Sequence, residues 1–146
     1  MATTDAIAED TWHGVDSGWL AIDARGFVAV FFTGGEGPIH ADADPYDDAV
    51  SDALRSMPAS SPFELLATYP RPDDFSDAAR RGLFAYDWSD VHPTNRELIE
   101  GYELIARPER PVHWTQLPEP ARTASAAARI DVEFGAPVLS RFAILD

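Results

Sequence analysis

Two apolar segments joined by a short turn constrain the fold of this chain more than any other feature. Residues 18–23 alternate in the manner of a β-strand, and residues 27–32 form a run of β-branched and aromatic side chains. Between them, Gly26 occupies the place where a short hairpin loop requires a positive φ. The pattern predicts an antiparallel hairpin with strands at about 18–23 and 27–33. Because both faces of the second strand are apolar, we expect it to be a central strand that is covered on both sides.

The second strand is predicted to end at Gly34–Pro38, a cluster of breaker residues that cannot continue a strand. Glycine-rich loops can bind phosphate through their backbone N–H groups. Here no Lys, Ser or Thr stands at the required position, and the carboxylate of Glu36 would repel an anion. The cluster is therefore interpreted as a turn.

An amphipathic helix is predicted at residues 45–57. Asp44 is a suitable N-cap, Pro45 suits the first helical position, and the helix should stop before Pro58. Its apolar side chains follow helical spacing. They are Tyr46, Val50, Ala53, Leu54 and Met57, and the polar face holds Asp48, Ser51, Asp52 and Arg55, with Asp47 on its flank.

Weaker patterns predict the remaining elements of the chain. Helices or helical turns are predicted at 63–66, 73–81, 94–100 and 120–128, and strands at 83–88, 102–107, 130–134 and 138–145. The fold class is therefore α+β, with a mostly antiparallel sheet of about five or six strands packed with two to four short helices. Residues 17–146 are expected to form one domain, preceded by a mobile acidic leader at residues 1–16.

The negative charge of the chain is unevenly distributed. Residues 1–90 carry 17 acidic residues and five arginines, a net charge of −12, whereas residues 91–146 carry eight and six, a net charge of −2. Such a surface repels nucleic acid and anionic membranes and attracts basic partners. All eleven basic residues are arginine. The acidity is thus also compatible with adaptation to salt or with genome composition, on a domain whose role is structural or regulatory.

The composition also indicates a cellular compartment. Cysteine is absent, so a disulfide framework, a thiol nucleophile and a thiolate metal site are excluded. The first 16 residues are acidic and contain no apolar run, which is untypical of a signal peptide or an anchor. We therefore expect a cytoplasmic protein.

Two groups of side chains invite comparison with metal sites. Asp42, Asp44, Asp47 and Asp48 form a run of carboxylates, but an EF-hand beginning at Asp42 requires glycine where Asp47 stands and glutamate where Ala53 stands. A helix cap and a solvated helix face explain these residues better, and no metal site is predicted there.

Asp87, Asp90 and His92 lie within six residues of one another and form the second group. A turn before Pro93 that is capped by Asp90 or Ser89 explains them better, and no metal site is predicted there. No serine-nucleophile motif is present, so neither a catalytic residue nor a cofactor is predicted. A small enzyme or a ligand-binding domain with a pocket lined by Trp, Asp and His remains the alternative.

The hairpin carries a resemblance to a known class of proteins. The residues concerned are Trp19–Asp23, Gly26, Val28–Phe31 and Gly34–Pro38. Together with the small size and the acidity, they resemble the immunity-type proteins of bacterial toxin–immunity systems. The resemblance implies a cytoplasmic α+β domain that binds and blocks a toxin, and it assigns no functional residue to a position of this chain.

The predicted function is therefore that of a non-enzymatic acidic protein that recognises and neutralises a basic protein partner. Nine acidic residues are predicted to bind this partner through charge complementarity. They are Glu36, Asp42, Asp44, Asp47, Asp48, Asp52, Asp73, Asp74 and Asp77.

Overall fold

The structure is a computed structural model that describes residues 17–66, 73–91 and 98–145. Residues 89–91 and 98–100 are described by their backbone alone. The leader predicted at residues 1–16 lies outside the described residues.

The described residues form six strands and four α-helices. The strands are β1 (Gly18–Ile22), β2 (Val28–Phe32), β3 (Phe63–Leu65), β4 (Phe84–Val91), β5 (Leu98–Pro108) and β6 (Val138–Ser140). The α-helices are α1 (Asp48–Arg55), α2 (Asp73–Arg80), α3 (Ala121–Ala126) and α4 (Arg141–Leu145), and a 3₁₀ turn spans Trp114–Gln116. The predicted α+β fold class is confirmed. None of these helices is long and apolar enough to cross a membrane.

One mixed sheet contains all six strands, in the order β1-β2-β4-β5-β3, with β6 also paired to β5. The pair β2–β4 is parallel, and the other pairs are antiparallel. On the side of β5 away from β4, residues 101–103 pair with β6 and residues 106–108 pair with β3. The long strand β5 therefore joins three other strands.

The predicted hairpin is confirmed as β1 and β2, with Trp19 opposite Phe31. Gly26 has φ of 84°, and a Cβ atom at this position would lie 2.3 Å from Nε2 of His113. Only glycine fits this turn without strain or displacement of the histidine. Strand β2 lies between β1 and β4. Phe31 packs in one hydrophobic cluster and Val30 in the other, which confirms that this strand is covered on both sides.

The first hydrophobic cluster is built around stacked aromatic rings. The ring centroids of Trp19 and Phe31 are 4.3 Å apart, and those of Phe31 and Tyr86 are 5.3 Å apart. Nε1 of Trp19 donates to the hydroxyl of Tyr102, which donates in turn to the carbonyl of Pro38. These bonds attach the glycine-rich turn to the core. Burial raises the pKa of Tyr102, and it raises the pKa of Tyr86 from 10.0 to about 12.

Asp23 is a fully buried carboxylate at the turn of the hairpin. Its side chain accepts hydrogen bonds from the backbone N–H groups of Arg25, Phe27 and Phe134, each at 2.9 Å. The guanidinium of Arg25 lies 3.0 Å from the same carboxylate and also donates to the carbonyl of Phe134. Asp23 therefore connects the hairpin to a segment more than 100 residues later.

The outer side of β1 is contacted by two other segments. The N–H of Tyr46 donates to the carbonyl of Gly18 at 2.9 Å. At the other end of the strand, Ile22 donates to Ala128 and accepts from Ile130, both at 2.9 Å. Both ends of this sheet edge are therefore occupied by hydrogen bonds within the chain.

The helix predicted at residues 45–57 is present, but its N-cap is Asp47 rather than Asp44. Oδ1 of Asp47 accepts from the N–H of Val50, and α1 begins at the next residue. A tertiary contact explains why the helix begins later than predicted. The N–H of Tyr46 donates to the carbonyl of Gly18, and the ring of Tyr46 covers that glycine. The helix predicted at 73–81 is confirmed as α2, which is followed by Gly82 with φ of 91°.

The predicted helical turn at residues 63–66 was wrong, because residues 63–65 form β3 and pair with the end of β5. Residues 98–100, predicted within a helical turn, also belong to β5. The predicted strand at 130–134 was wrong as well, since the N–H of Phe134 bonds to the carboxylate of Asp23. The strand predicted at 138–145 stops at Ser140, whose hydroxyl accepts from Ala143 in the first turn of α4.

Candidate functional site

All nine acidic residues predicted to bind a partner are exposed. They fall into two groups according to the elements that carry them. Six lie on α1, on α2 or at the N-cap of α1, and we call this group the acidic helical face. It consists of Asp47, Asp48, Asp52, Asp73, Asp74 and Asp77.

The acidic helical face results from the amphipathic sequences of two helices. Val50 on α1 and Ala79 on α2 are buried in the second hydrophobic cluster, which also contains Val30 of β2. Both helices therefore cover the same face of the sheet and turn their polar residues to solvent. This packing brings acidic residues that are more than 20 positions apart in the sequence onto one surface.

Glu36, Asp42 and Asp44 form the second group. They belong to the connection between β2 and α1, in which Ile39 and Ala43 pack against the first hydrophobic cluster. That cluster lies on the opposite face of the sheet. Ile39 and Ala43 therefore attach this connection to the face of the sheet opposite α1 and α2.

A shallow groove of about 220 Å³ runs between α1 and α2. Its apolar lining includes Phe32, Tyr46 and Leu54. Asp74 and Asp77 of α2 line it as well. The groove therefore combines an aromatic and aliphatic surface with carboxylates that are open to solvent.

The carboxylates of the acidic helical face differ in their partners. Asp52 lies 2.6 Å from Arg55, Asp77 lies 3.3 Å from Arg80, and both pairs are exposed. Asp47 caps α1. The side chains of three others, namely Asp48, Asp73 and Asp74, form no hydrogen bond or ion pair with the described residues. Within the acidic helical face, these three carboxylates are exposed and without a partner among the described residues.

The structure describes the other groups singled out in the sequence only in part. No three His, Asp or Glu side chains of the described residues are placed to hold a metal ion. Asp87 lies on β4, and His92 falls outside the described residues. Trp19 is buried in the core, and Trp88 and Trp114 are half-buried.

A larger cavity, of about 750 Å³, was missed by the sequence-based reasoning. Its lining includes Arg80, Arg81, Arg110 and Arg122, and we call it the arginine-lined cavity. The only signal in the sequence was the polarity of residues 73–81, with acids first and arginines last. That polarity has a local explanation in the helix dipole, and it gave no reason to connect Arg80 with Arg110 or Arg122.

The carboxylates of the acidic helical face carry negative charge and attract cationic groups. No known protein family, curated protein or solved structure matches this chain. The function is therefore argued from the geometry and the charge of the surface.

Proposed function

We propose that the chain is a non-enzymatic binding protein that recognises a basic protein partner through the acidic helical face. The observation that carries the proposal is the placement of Asp48, Asp73 and Asp74. These three exposed carboxylates have no partner among the described residues and lie on two helices that flank one groove. Such carboxylates give up no interaction with the described part of the chain when they meet an external cation.

The groove suits a Lys or Arg side chain of the partner. The apolar stem of such a side chain can pack on Phe32 and Tyr46, while its charged head reaches Asp74 at the edge. Two arginines of the chain also line the groove, but both are engaged. Arg55 pairs with Asp52, and Arg81 donates to the carbonyls of Asp77 and Arg55.

Charge complementarity of this kind acts mainly on the rate of association and on specificity. Acids on the rim steer the basic partner towards the surface. Salt weakens this steering, because exposed charges more than about 8 Å apart are largely screened at physiological ionic strength. Desolvated contacts in the groove then supply most of the affinity. Binding should therefore weaken with salt through a slower association rate.

The resemblance to immunity-type proteins suggests the biological role. A cytoplasmic protein of this class binds a toxin and blocks it, and a toxin that acts on nucleic acid has a cationic cleft. By covering such a cleft, the acidic helical face would neutralise the partner without chemistry of its own.

The proposal is tested with three baits and a lysate of the native host. The baits are the unmodified protein, the double variant Asp73→Asn/Asp74→Asn, and the control Asp131→Asn/Glu133→Asn. The control removes two exposed acids outside the acidic helical face. The unmodified protein and the control should capture the same basic protein at low salt, and the Asp73/Asp74 variant should lose it. With the purified partner, surface plasmon resonance should show an association rate that falls with salt.

Equal capture by all three baits, or capture of acidic or neutral proteins alone, would contradict the proposal. A purified complex whose association rate is insensitive to salt would also contradict it. Circular dichroism of each bait verifies that a lost interaction does not reflect unfolding.

A further inference from the structure

The arginine-lined cavity lies where the ends of several elements meet. The residues after α1, the end of α2, the segment at 110–118 and the start of α3 surround it. Its volume of about 750 Å³ falls within the range of about 300–1,000 Å³ that is usual for small-molecule sites. The cavity is thus large enough for an organic ligand.

The charge of the lining is opposite to that of the whole chain. The chain has 25 acidic residues and 11 basic ones, yet the four charged side chains among the described lining residues are all arginines. Acids farther away than about 8 Å are largely screened at physiological ionic strength. Within that distance, Arg80 and Arg122 each have one carboxylate partner, whereas Arg81 and Arg110 form no ion pair with the described residues.

The guanidinium of Arg110 is the most available of these groups. It is exposed and forms no hydrogen bond or ion pair with the described residues. The backbone N–H of Arg110 donates to the hydroxyl of Ser61, which fixes this part of the chain against the residues that follow α1. A positive group is thus held at the cavity by its backbone while its head remains available to a ligand.

Arg80 and Arg122 have acidic partners, but neither partner lines the cavity. Arg80 lies 3.3 Å from Asp77, and Arg122 lies 3.6 Å from Glu119. Glu119 is bonded more closely to Thr123, through the hydroxyl at 2.6 Å and the N–H at 2.9 Å. Exposed ion pairs contribute little to stability, so an anion with higher charge density can compete for both guanidinium groups.

The fourth arginine of the lining, Arg81, is held by hydrogen bonds within the chain. Its two terminal nitrogens donate to the carbonyls of Asp77 and Arg55, and its Nε is buried without a hydrogen-bond partner in the described part of the chain. Ser60 and Gln116 place neutral polar groups on the lining, whereas Met57 and Leu117 provide apolar contact. The lining therefore combines charged donors with surface for an organic group.

We propose that the arginine-lined cavity binds a small molecule that carries at least two phosphate groups. Guanidinium groups bind phosphate oxygens through paired hydrogen bonds, and one phosphate can satisfy two arginines. Four arginines around a single cavity match a diphosphate better than a lone carboxylate. The lining of this cavity contains no residue of the acidic helical face, although Asp77 of that face pairs with Arg80, and the proposal does not depend on the basic partner.

Isothermal titration calorimetry with inorganic pyrophosphate, ADP, inorganic phosphate and citrate tests the proposal. Pyrophosphate or ADP should bind saturably and more tightly than phosphate or citrate, and a difference between the first two shows whether an organic group contributes. The variant Arg110→Gln should weaken binding about tenfold or more. The control Arg129→Gln, which removes an exposed arginine outside the cavity, should leave affinity unchanged.

Three results would overturn the assignment: no saturable binding of pyrophosphate or ADP, equal affinity for citrate, or equal losses in the Arg110 and Arg129 variants. Thermal unfolding verifies that both variants are folded. The variant Asp73→Asn/Asp74→Asn should bind pyrophosphate as the unmodified protein does. Failure of the phosphate site can thus be distinguished from failure of the proposed partner surface.

Discussion

Asp23 shows how a single side chain can determine the path of a distant segment. A buried carboxylate is costly unless it is paired and hydrogen-bonded, and Asp23 meets both conditions through Arg25 and three backbone N–H groups. One of these N–H groups belongs to Phe134, which consequently cannot use it in a sheet. Phe134 thus ends the alternating pattern at 130–134 with a bond to the hairpin turn, while Ile130 and Val132 bond to Ile22 and Ala24.

Replacement of Asp23 by alanine should lower the free energy of unfolding by about 3 kcal/mol. The change leaves buried N–H groups without an acceptor and Arg25 without its counter-ion. Urea denaturation measures the loss. The control Asp131→Ala, at an exposed position near the same segment, should change stability by less than about 0.5 kcal/mol. Similar losses in both variants would contradict the role assigned to Asp23.

Tyr86 makes the stability of the fold sensitive to alkaline pH. Burial raises its pKa from 10.0 to about 12 in the folded state, so folding favours the protonated phenol. This contribution is complete below about pH 10 and is lost as the pH rises towards about 12, a change of about 2–3 kcal/mol. Urea unfolding across this range should show a shallower decline for Tyr86→Phe than for the unmodified protein. An identical decline would contradict the linkage.

At the level of elements, local signals predicted structure where they did not compete with distant contacts. Apolar alternation and Gly26 predict the hairpin, and Gly82 predicts the end of α2. Each of these signals acts within a few residues. β3 was missed because its strand character comes from pairing with β5, more than 40 residues away. The start of α1 was misplaced for the same reason, since Gly18 holds Tyr46 outside the helix.

The cap of α1 provides a test of this distinction. Asp47→Ala should destabilise the protein by about 1 kcal/mol because the N–H of Val50 loses its acceptor. Asp44→Ala removes the cap expected from the sequence and should change the free energy of unfolding by less than about 0.5 kcal/mol. Chemical denaturation of the two variants compares these values directly, and a larger effect of Asp44→Ala would contradict the observed cap.

On the scale of the whole molecule, the described residues place an acidic surface beside a basic one. The acidic helical face and the arginine-lined cavity are adjacent, and Arg81 lines both the groove and the cavity. The acids could be singled out from the sequence because they are numerous and lie on helices with clear polarity. The cavity could not, because Arg80, Arg110 and Arg122 come together only through the packing of α2, α3 and the segment between β5 and α3.

The excess of negative charge should make folding stability depend on salt. Mutual repulsion destabilises the compact state, and added NaCl screens it. The melting temperature should therefore rise by a few degrees as NaCl increases from low to moderate concentration, and it should rise less for Asp73→Asn/Asp74→Asn. Differential scanning calorimetry measures both, with a non-ionic osmolyte at equal osmolality as the control. A melting temperature that is constant or falls with NaCl would contradict this expectation.

The hydrogen bonds along the outer side of β1 bear on how the protein behaves at high concentration. An unpaired strand at a sheet edge can recruit a strand from a neighbouring molecule and begin aggregation. In this chain, Gly18 and Ile22 are already bonded to other segments, so only the stretch around Leu20 lies between the occupied positions. A second molecule would have to displace these contacts before it could extend the sheet at this edge.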